Sequence, residues 1–491
     1  MISSPRHRGV ALAVILVGYL LILIDVSILM AALPTIHHAL GFSPTSLSWA
    51  QNAYTLTFGG LLLLGARAGD LLGRRRMFVV GIGLFGVASL AVGLAHSPTS
   101  MIAARAVQGV GAAILAPSTL ALLSTSFPEG PQRSRAMAAY GALAGIGTAF
   151  GLIVGGVLTS ALSWRYGFFL NVPVGLAAIL AAPRYLDETD RHAGRLDMPG
   201  ALSSTLGVSA LVFGIVHSAD AGWNDPLTVG ALAVGLALVA LFVMNQRRAA
   251  QPLMPLRLFA DRARAGAYVA RFLFNGVLVS FFFFMTQYLQ GVLGFTPLEA
   301  GLAFLPLTAA AFASAAATSR LTRRLGNENL AIAGCAAMLV GTALMSRVSV
   351  TTGYALGIGL PMVVFGIGQG LGLSALTTGG MAGVDPQDAS VAGGLVNVAH
   401  HLGGALGLGI LVTVFDATGA GAHGAQELLA HRVSASLTAA TAFLILALVA
   451  TVITHPRRRA DRPRRTVNVP ARAATANPGH PAAEALSDCR A

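Results

Sequence analysis

Apolar runs of roughly twenty residues recur along nearly the whole chain, parted by short polar breaks and without the period-two alternation of strands. A helix rising 1.5 Å per residue needs about 20 residues to cross a hydrocarbon core roughly 30 Å thick. Each run is therefore read as a membrane-spanning helix, since barrel strands would be shorter and alternating. The pattern predicts fourteen spans, near 10–33, 47–69, 77–96, 99–124, 134–162, 166–186, 199–218, 227–246, 265–290, 299–319, 329–347, 354–380, 388–416 and 433–454. The fold class expected is an all-α integral membrane protein.

Composition agrees with that reading. Of 491 residues 55% are hydrophobic and only 10% charged, too apolar a balance for soluble domains. All basic residues are Arg, and the net charge of +13 would suggest a nucleic-acid partner in a soluble chain. Here the Arg residues cluster in loops and tail, where they set topology instead. With the N-terminus inside, twenty-seven Arg fall in inner segments and three, Arg165, Arg347 and Arg432, in outer ones. Arg105 and Arg271 are left within or at the edge of spans. An even number of spans with both termini cytoplasmic fits, in a bacterial-type cytoplasmic membrane. The first run has a basic flank but is longer than a signal-peptide core, and is read as a retained span. Residues 456–491, rich in Pro, Ala and Arg, are expected to be disordered, either touching anionic lipid or simply solvated. Cys335 and Cys489 support neither a disulfide framework nor a metal site, and no cofactor is expected.

Two charges inside spans carry the chemistry. Asp25 sits deep in the first run, and a carboxylate in hydrocarbon costs roughly 2.5–3.5 kcal/mol on insertion scales, so it is kept where it faces a cavity or a partner. Arg105 lies in the fourth, followed by Gln108, Gly109 and Gly111. The first span runs outward and the fourth inward, which puts both charges roughly 10–13 Å below the outer surface at 1.5 Å per residue. An acid and a guanidinium in one layer make a proton switch: Arg stays charged and holds or releases the carboxylate as helices move. The fifth span carries Gly141, Gly145, Gly147, Gly151, Gly155 and Gly156, mostly four apart, the pattern of a helix that packs closely and bends or slides.

These residues resemble the major facilitator superfamily, and within it the fourteen-span drug:proton antiporters. GARAGDLLGRRR at 65–76 is similar to the superfamily's loop signature through Asp70, Gly73, Arg74 and Arg75, with Leu71 replacing its first Arg. Arg105, Gln108, Gly109 and Gly111 match the signature of the fourth span. Asp25, Ala32, Leu33 and Pro34 match that of the first, with Ser27 for Thr and Met30 for Asn. Gly147, Gly151, Gly155 and Gly156 match the antiporter helix, with Leu152 where Pro is usual. SWRYGFFLNVPVG at 163–175, RLDMPG at 195–200 and QPLMPLRLF at 251–259 are also like the family's.

The resemblance implies two six-helix bundles, 1–186 and 265–455, about a central cavity with alternating access, a two-span insert over 187–264, and the tail beyond 455. It implies that Asp70, Gly73, Arg74 and Arg75 form a gating loop, with Asp70 facing the N-terminal end of a later helix, expected to be the thirteenth span. Gly147, Gly151, Gly155 and Gly156 would form the antiporter hinge. Candidate cavity residues are Gln51, Asn52, Tyr54 and Gln108 in the first half, and Gln287, Tyr288 and Gln290 (after four Phe at 281–284), Gln369, Asn397, His400 and His401 in the second. The two His are either a neutral packed pair or a second titratable site or cargo contact. Few acids lie within the later spans, which tilts the expected cargo toward neutral, amphipathic or monocationic compounds.

The function expected is proton-coupled export of drugs or hydrophobic small molecules, working as a monomer in contact with lipid. An exporter dedicated to one metabolite or antibiotic is the alternative. A lipid-modifying enzyme would need clustered acids or a nucleophile with its base, and neither is found; a non-transporting sensor leaves the Asp25 and Arg105 layer without a purpose.

Overall fold

A computed structural model describes residues 5–127, 131–188, 197–248, 254, 256–384, 389–419 and 424–454. Side chains of scattered helical residues, among them Gly141 and Gly145, lie outside that description, as do residues 385–388 and 455–491. Within the described residues every predicted span is a helix: α1 (Pro5–Leu40), α2 (Pro44–Leu72), α3 (Arg74–Gly93), α4 (Pro98–Ser126), α5 (Pro131–Ala161), α6 (Trp164–Phe169), α7 (Asn171–Tyr185), α8 (Met198–Ala221) and α9 (Pro226–Arg248), followed by α10 (Arg262–Gly291), α11 (Pro297–Ala303), α12 (Leu305–Leu325), α13 (Asn327–Met345), α14 (Leu360–Met381), α15 (Ala389–Ala417) and α16 (Ala425–Ile453). Among the described residues thirteen helical stretches are long and apolar enough to cross a membrane, and the 31-residue α5 covers the predicted fifth span.

Proline explains where boundaries depart from the hydropathy reading. The sixth span is broken at Leu170, because Pro173 has no N–H for the Phe169 carbonyl and its ring crowds that turn. Pro306 breaks the tenth span at Phe304 in the same way. Pro34 is instead absorbed, and α1 continues to Leu40. The twelfth span opens with a wide π turn over Ala355–Gly359. Start signals are regular: Ser43, Ser97 and Thr296 each form a capping box ahead of a Pro.

The two largest apolar cores among the described residues are one around Phe78, Phe85 and Leu115 in the first six spans, and one around the Phe281–Phe284 run, Phe365 and Phe415 that also takes in Leu29, Leu33, Trp164 and Phe168 of the first half. Phe281 stacks on Phe365 at 4.2 Å and Phe284 on Phe415 at 5.2 Å, so this run is structural packing. Between the halves, α8 lies against α2 and α15, with Thr413 donating to the Ile215 carbonyl and Trp49 tilted on Phe213. α9 packs on α8 and exposes most of its outer face. Asp197 organises this pair: it caps α8 through the Gly200 N–H and accepts from Asn245 and Gln246 of α9.

At the Arg-poor end the halves meet directly. Gly156 of α5 stands against Pro297 and Leu298, Gly301 against the Leu152 backbone, and Gln290 Nε2 donates to the Ala31 carbonyl at 2.9 Å. Farther toward the Arg-rich end, α2 meets α15 at Gly59 against His401 and Leu63 against Gly394.

Candidate functional site

Asp25 and Arg105 are both fully buried and in contact, Nη1 to Oδ2 at 2.5 Å. α1 and α4 supply the two charges, and neighbouring helices close around them. Arg105 Nη1 also donates to Gln108 Oε1 at 2.7 Å, one turn on, and Nε donates to the Ala50 carbonyl of α2 at 2.9 Å. The Tyr54 ring lies 4.2 Å from the guanidinium carbon, a cation–π contact away from water. The second carboxylate oxygen, Oδ1, accepts from Gln108 Nε2 at 2.6 Å and Asn171 Nδ2 at 3.1 Å. Asn171 and Gln108 share the Ser89 hydroxyl, at 2.8 and 3.3 Å, and Ser89 donates to the Phe168 carbonyl.

This arrangement is a carboxylate whose two oxygens take charged and neutral donors from two other helices. An ionised Asp accepts all of them; a protonated one loses its charge and turns one oxygen into a donor. Proton uptake must therefore break part of the set, and the helices carrying the donors must yield. Asn171 and Ser89 are the members that hydropathy does not single out. Asn171 opens α7 at the proline-made break, and that interruption is the signal by which it could have been found; Ser89 looks like any small residue in an apolar helix.

The glycine stripe is built into the same region. A Cβ on Gly147, Gly151 or Gly155 would stand within 2.6–2.8 Å of Leu23, Ser27 or Ile28 of α1. α5 thus lies against the stretch of α1 that carries Asp25, while Gly156 touches α11.

In the loop between α2 and α3, Gly73 has a φ of +102°, a region side chains avoid, and ends α2 and starts α3. Asp70 accepts from Arg74 Nη2 at 3.1 Å. Its expected meeting with the start of the thirteenth span falls on residues outside the description. Sequence reasoning missed Glu188, which caps α3 by accepting the N–H groups of Arg75 and Arg76 at 3.0 and 3.2 Å, with both guanidinium Nε atoms within 3.9 Å.

The proposed cavity residues do not form one group. Gln51 bonds Thr55, Asn52 is buried without a partner, and Tyr54 and Gln108 belong to the Asp25 cluster. Tyr288 donates to the Ser349 carbonyl inside the second core, Gln287 to Phe283 on its own helix, and Gln290 bridges the halves. Gln369 is half-buried with a free oxygen, and Asn397 is exposed. His400 and His401 meet edge to face at 5.1 Å, and His401 packs on Phe58 of α2 at 4.1 Å.

A sequence profile described as Major Facilitator Superfamily matches residues 15–408. The chain belongs to this superfamily. It is 41% identical over 417 residues to the puromycin resistance protein of Streptomyces alboniger, covering 84% of this chain and 82% of that one. It is 38% identical over 457 residues to the cephamycin export protein of Amycolatopsis lactamdurans, covering 92% and 93%. Among solved structures, the fold resembles a bacterial homologue of the human lysosomal transporter Spinster in an inward-facing, occupied conformation (TM-score 0.64, 14% identity, 92% and 97% covered). It also resembles the nucleoside transporter NupG (TM-score 0.63, 12% identity, 92% and 100% covered). The superfamily member is thus a multi-pass membrane transporter of small molecules within the drug-efflux branch.

Proposed function

We propose that this drug exporter is driven by protons carried on Asp25, with Arg105 as the fixed cation that holds the empty, ionised carboxylate. The observation that supports this is the dry Asp25–Arg105 pair joined to Gln108 and Asn171, an ionisable pair kept in the membrane interior at a desolvation cost that packing alone would not require. Protonation of Asp25 from the Arg-poor, outer side would cancel the ion pair and let α1 part from α4. The glycine contacts of α5 would then allow α1 to slide. Return of the carboxylate to Arg105 would accompany proton release inside and capture of cargo there. In this reading the Arg-rich end and both termini are cytoplasmic, the bundles 1–186 and 265–455 rock about the seam covered by the 187–264 insert, and one chain suffices, embedded in cytoplasmic-membrane lipid.

The test is Asp25→Asn in everted vesicles, read as dye accumulation driven by an imposed proton gradient. Accumulation should fall at least about ten-fold. Removing one partner of a buried pair costs about 3–5 kcal/mol, so cargo exchange without a gradient serves as the folding control and should persist. Gradient-driven accumulation equal to the parent would exclude Asp25 as the carrier.

A second reading is a dedicated exporter of one antibiotic, favoured by relatives that carry the names of single compounds: puromycin, cephamycin and lincomycin. A susceptibility panel on expression separates the two; protection against one chemical class alone supports the dedicated role.

A further inference from the structure

The chain holds a second membrane-buried guanidinium. Arg271 of α10 is 8% exposed. Its Nη1 donates to the Leu373 carbonyl at 2.7 Å and to Thr377 Oγ1 at 3.0 Å, both on α14, while its Nε has no acceptor. Among the described residues no Asp or Glu pairs with it. One turn along α10, Asn275 is buried, donates to the His400 carbonyl of α15 at 2.6 Å, and leaves its Oδ1 without a donor. His400 Nδ1 is likewise buried without a partner.

Three unsatisfied polar atoms on two packed helices are costly, about 1–3 kcal/mol each, and such groups are normally paired. A guanidinium with a free edge fits a carboxylate, which it binds in a planar, charge-assisted geometry. The Asn275 oxygen asks for a donor beside that carboxylate. The place lies next to the seam between the halves. His401, adjacent in sequence, packs on Phe58 across the seam between the halves, and Asn397, one turn toward the Arg-rich end, is exposed. A monocationic compound would meet uncompensated positive charge here, opposite to the expectation drawn from the scarcity of acids in the later spans.

We propose that Arg271, with Asn275 and His400, forms the subsite that takes the carboxylate of an amphipathic anionic or zwitterionic cargo bearing a neighbouring N–H or O–H group. The proposal rests on the export reading but concerns binding, so it is tested without a proton gradient. The probes are a xanthene dye with a free carboxylate and the methyl ester of the same dye, titrated against detergent-purified full-length protein by fluorescence anisotropy. The parent should bind the acid about ten-fold tighter than the ester. Arg271→Gln should bring the two affinities together by weakening the acid alone, and Arg271→Lys, which keeps the charge without the fork, should retain part of the preference. Equal binding of acid and ester by the parent, no binding of the acid, or an equal loss for both dyes in Arg271→Gln would overturn the subsite. None of those results bears on Asp25. Were Arg271→Gln to melt early, the parent comparison and Arg271→Lys would still decide.

Discussion

Gly151 of α5 lies against Ser27 of α1, two residues beyond Asp25: a Cβ on Gly151 would stand 2.6 Å from the Ser27 Cβ and 3.0 Å from the Ile24 Cα. The backbone of α5 thus touches the helix that carries Asp25. Gly151→Val should overpack this contact at a cost of about 1–3 kcal/mol, lowering the melting temperature in detergent and slowing efflux. Unchanged melting and efflux would show that α1 and α5 are not held this closely.

Asn171 couples Asp25 to Ser89 and sits at the start of α7. Asn171→Ala deletes the amide that donates to both and leaves Asp25 Oδ1 one donor short, a loss of about 1–3 kcal/mol for a buried group. If Asn171 belongs to the proton site, the pH at which gradient-driven efflux is half-maximal should move relative to the parent. A lower melting temperature with an unmoved pH profile would assign it to packing alone.

Glu188 should be a structural fastening of the loop between α2 and α3. Its carboxylate caps the N-terminal turn of α3 and lies by two Arg. Glu188→Ala should cost about 0.5–2 kcal/mol as a lost cap, and Glu188→Gln less, because the amide oxygen still accepts. Thermal melts of the three proteins should rank in that order. Raising salt should narrow the gap between Glu and Gln by screening the Arg charges.

Asp225, in the loop before α9, has a carboxyl held below the usual carboxylate range, chiefly by the Thr228 N–H and then by that of Leu227 and by His217 at 3.3 Å. Its folded value is depressed, so its stabilising contribution is complete above the unfolded value of about 3.9 and fades as pH falls through the lower folded value. Asp225→Asn should melt with a shallower decline between pH 4 and the acid limit, roughly the window set by that reference value. Parallel curves would rule out this contribution.

The spans were legible because crossing hydrocarbon is a local demand. Each backbone must satisfy itself within its own segment, so length and apolarity suffice to mark it. Asp25 and Arg105 could be placed in one layer for the same reason: rise per residue is fixed, and opposite running directions turn sequence position into height. What sequence could not decide is which faces meet. Glu188 reaches α3 across more than a hundred residues, and Asn171 enters the Asp25 cluster through a helix break whose direction is set by neighbours. Tyr288 and Gln287, polar residues in the same helix as Arg271, turned into the core and onto their own helix respectively, because hydropathy records how apolar a span is and not the rotation at which it packs. Arg271 shows the same divide. Its place inside or at the edge of a span could be read from the chain, but only packing against α14 left it buried with no acid among the described residues paired to it.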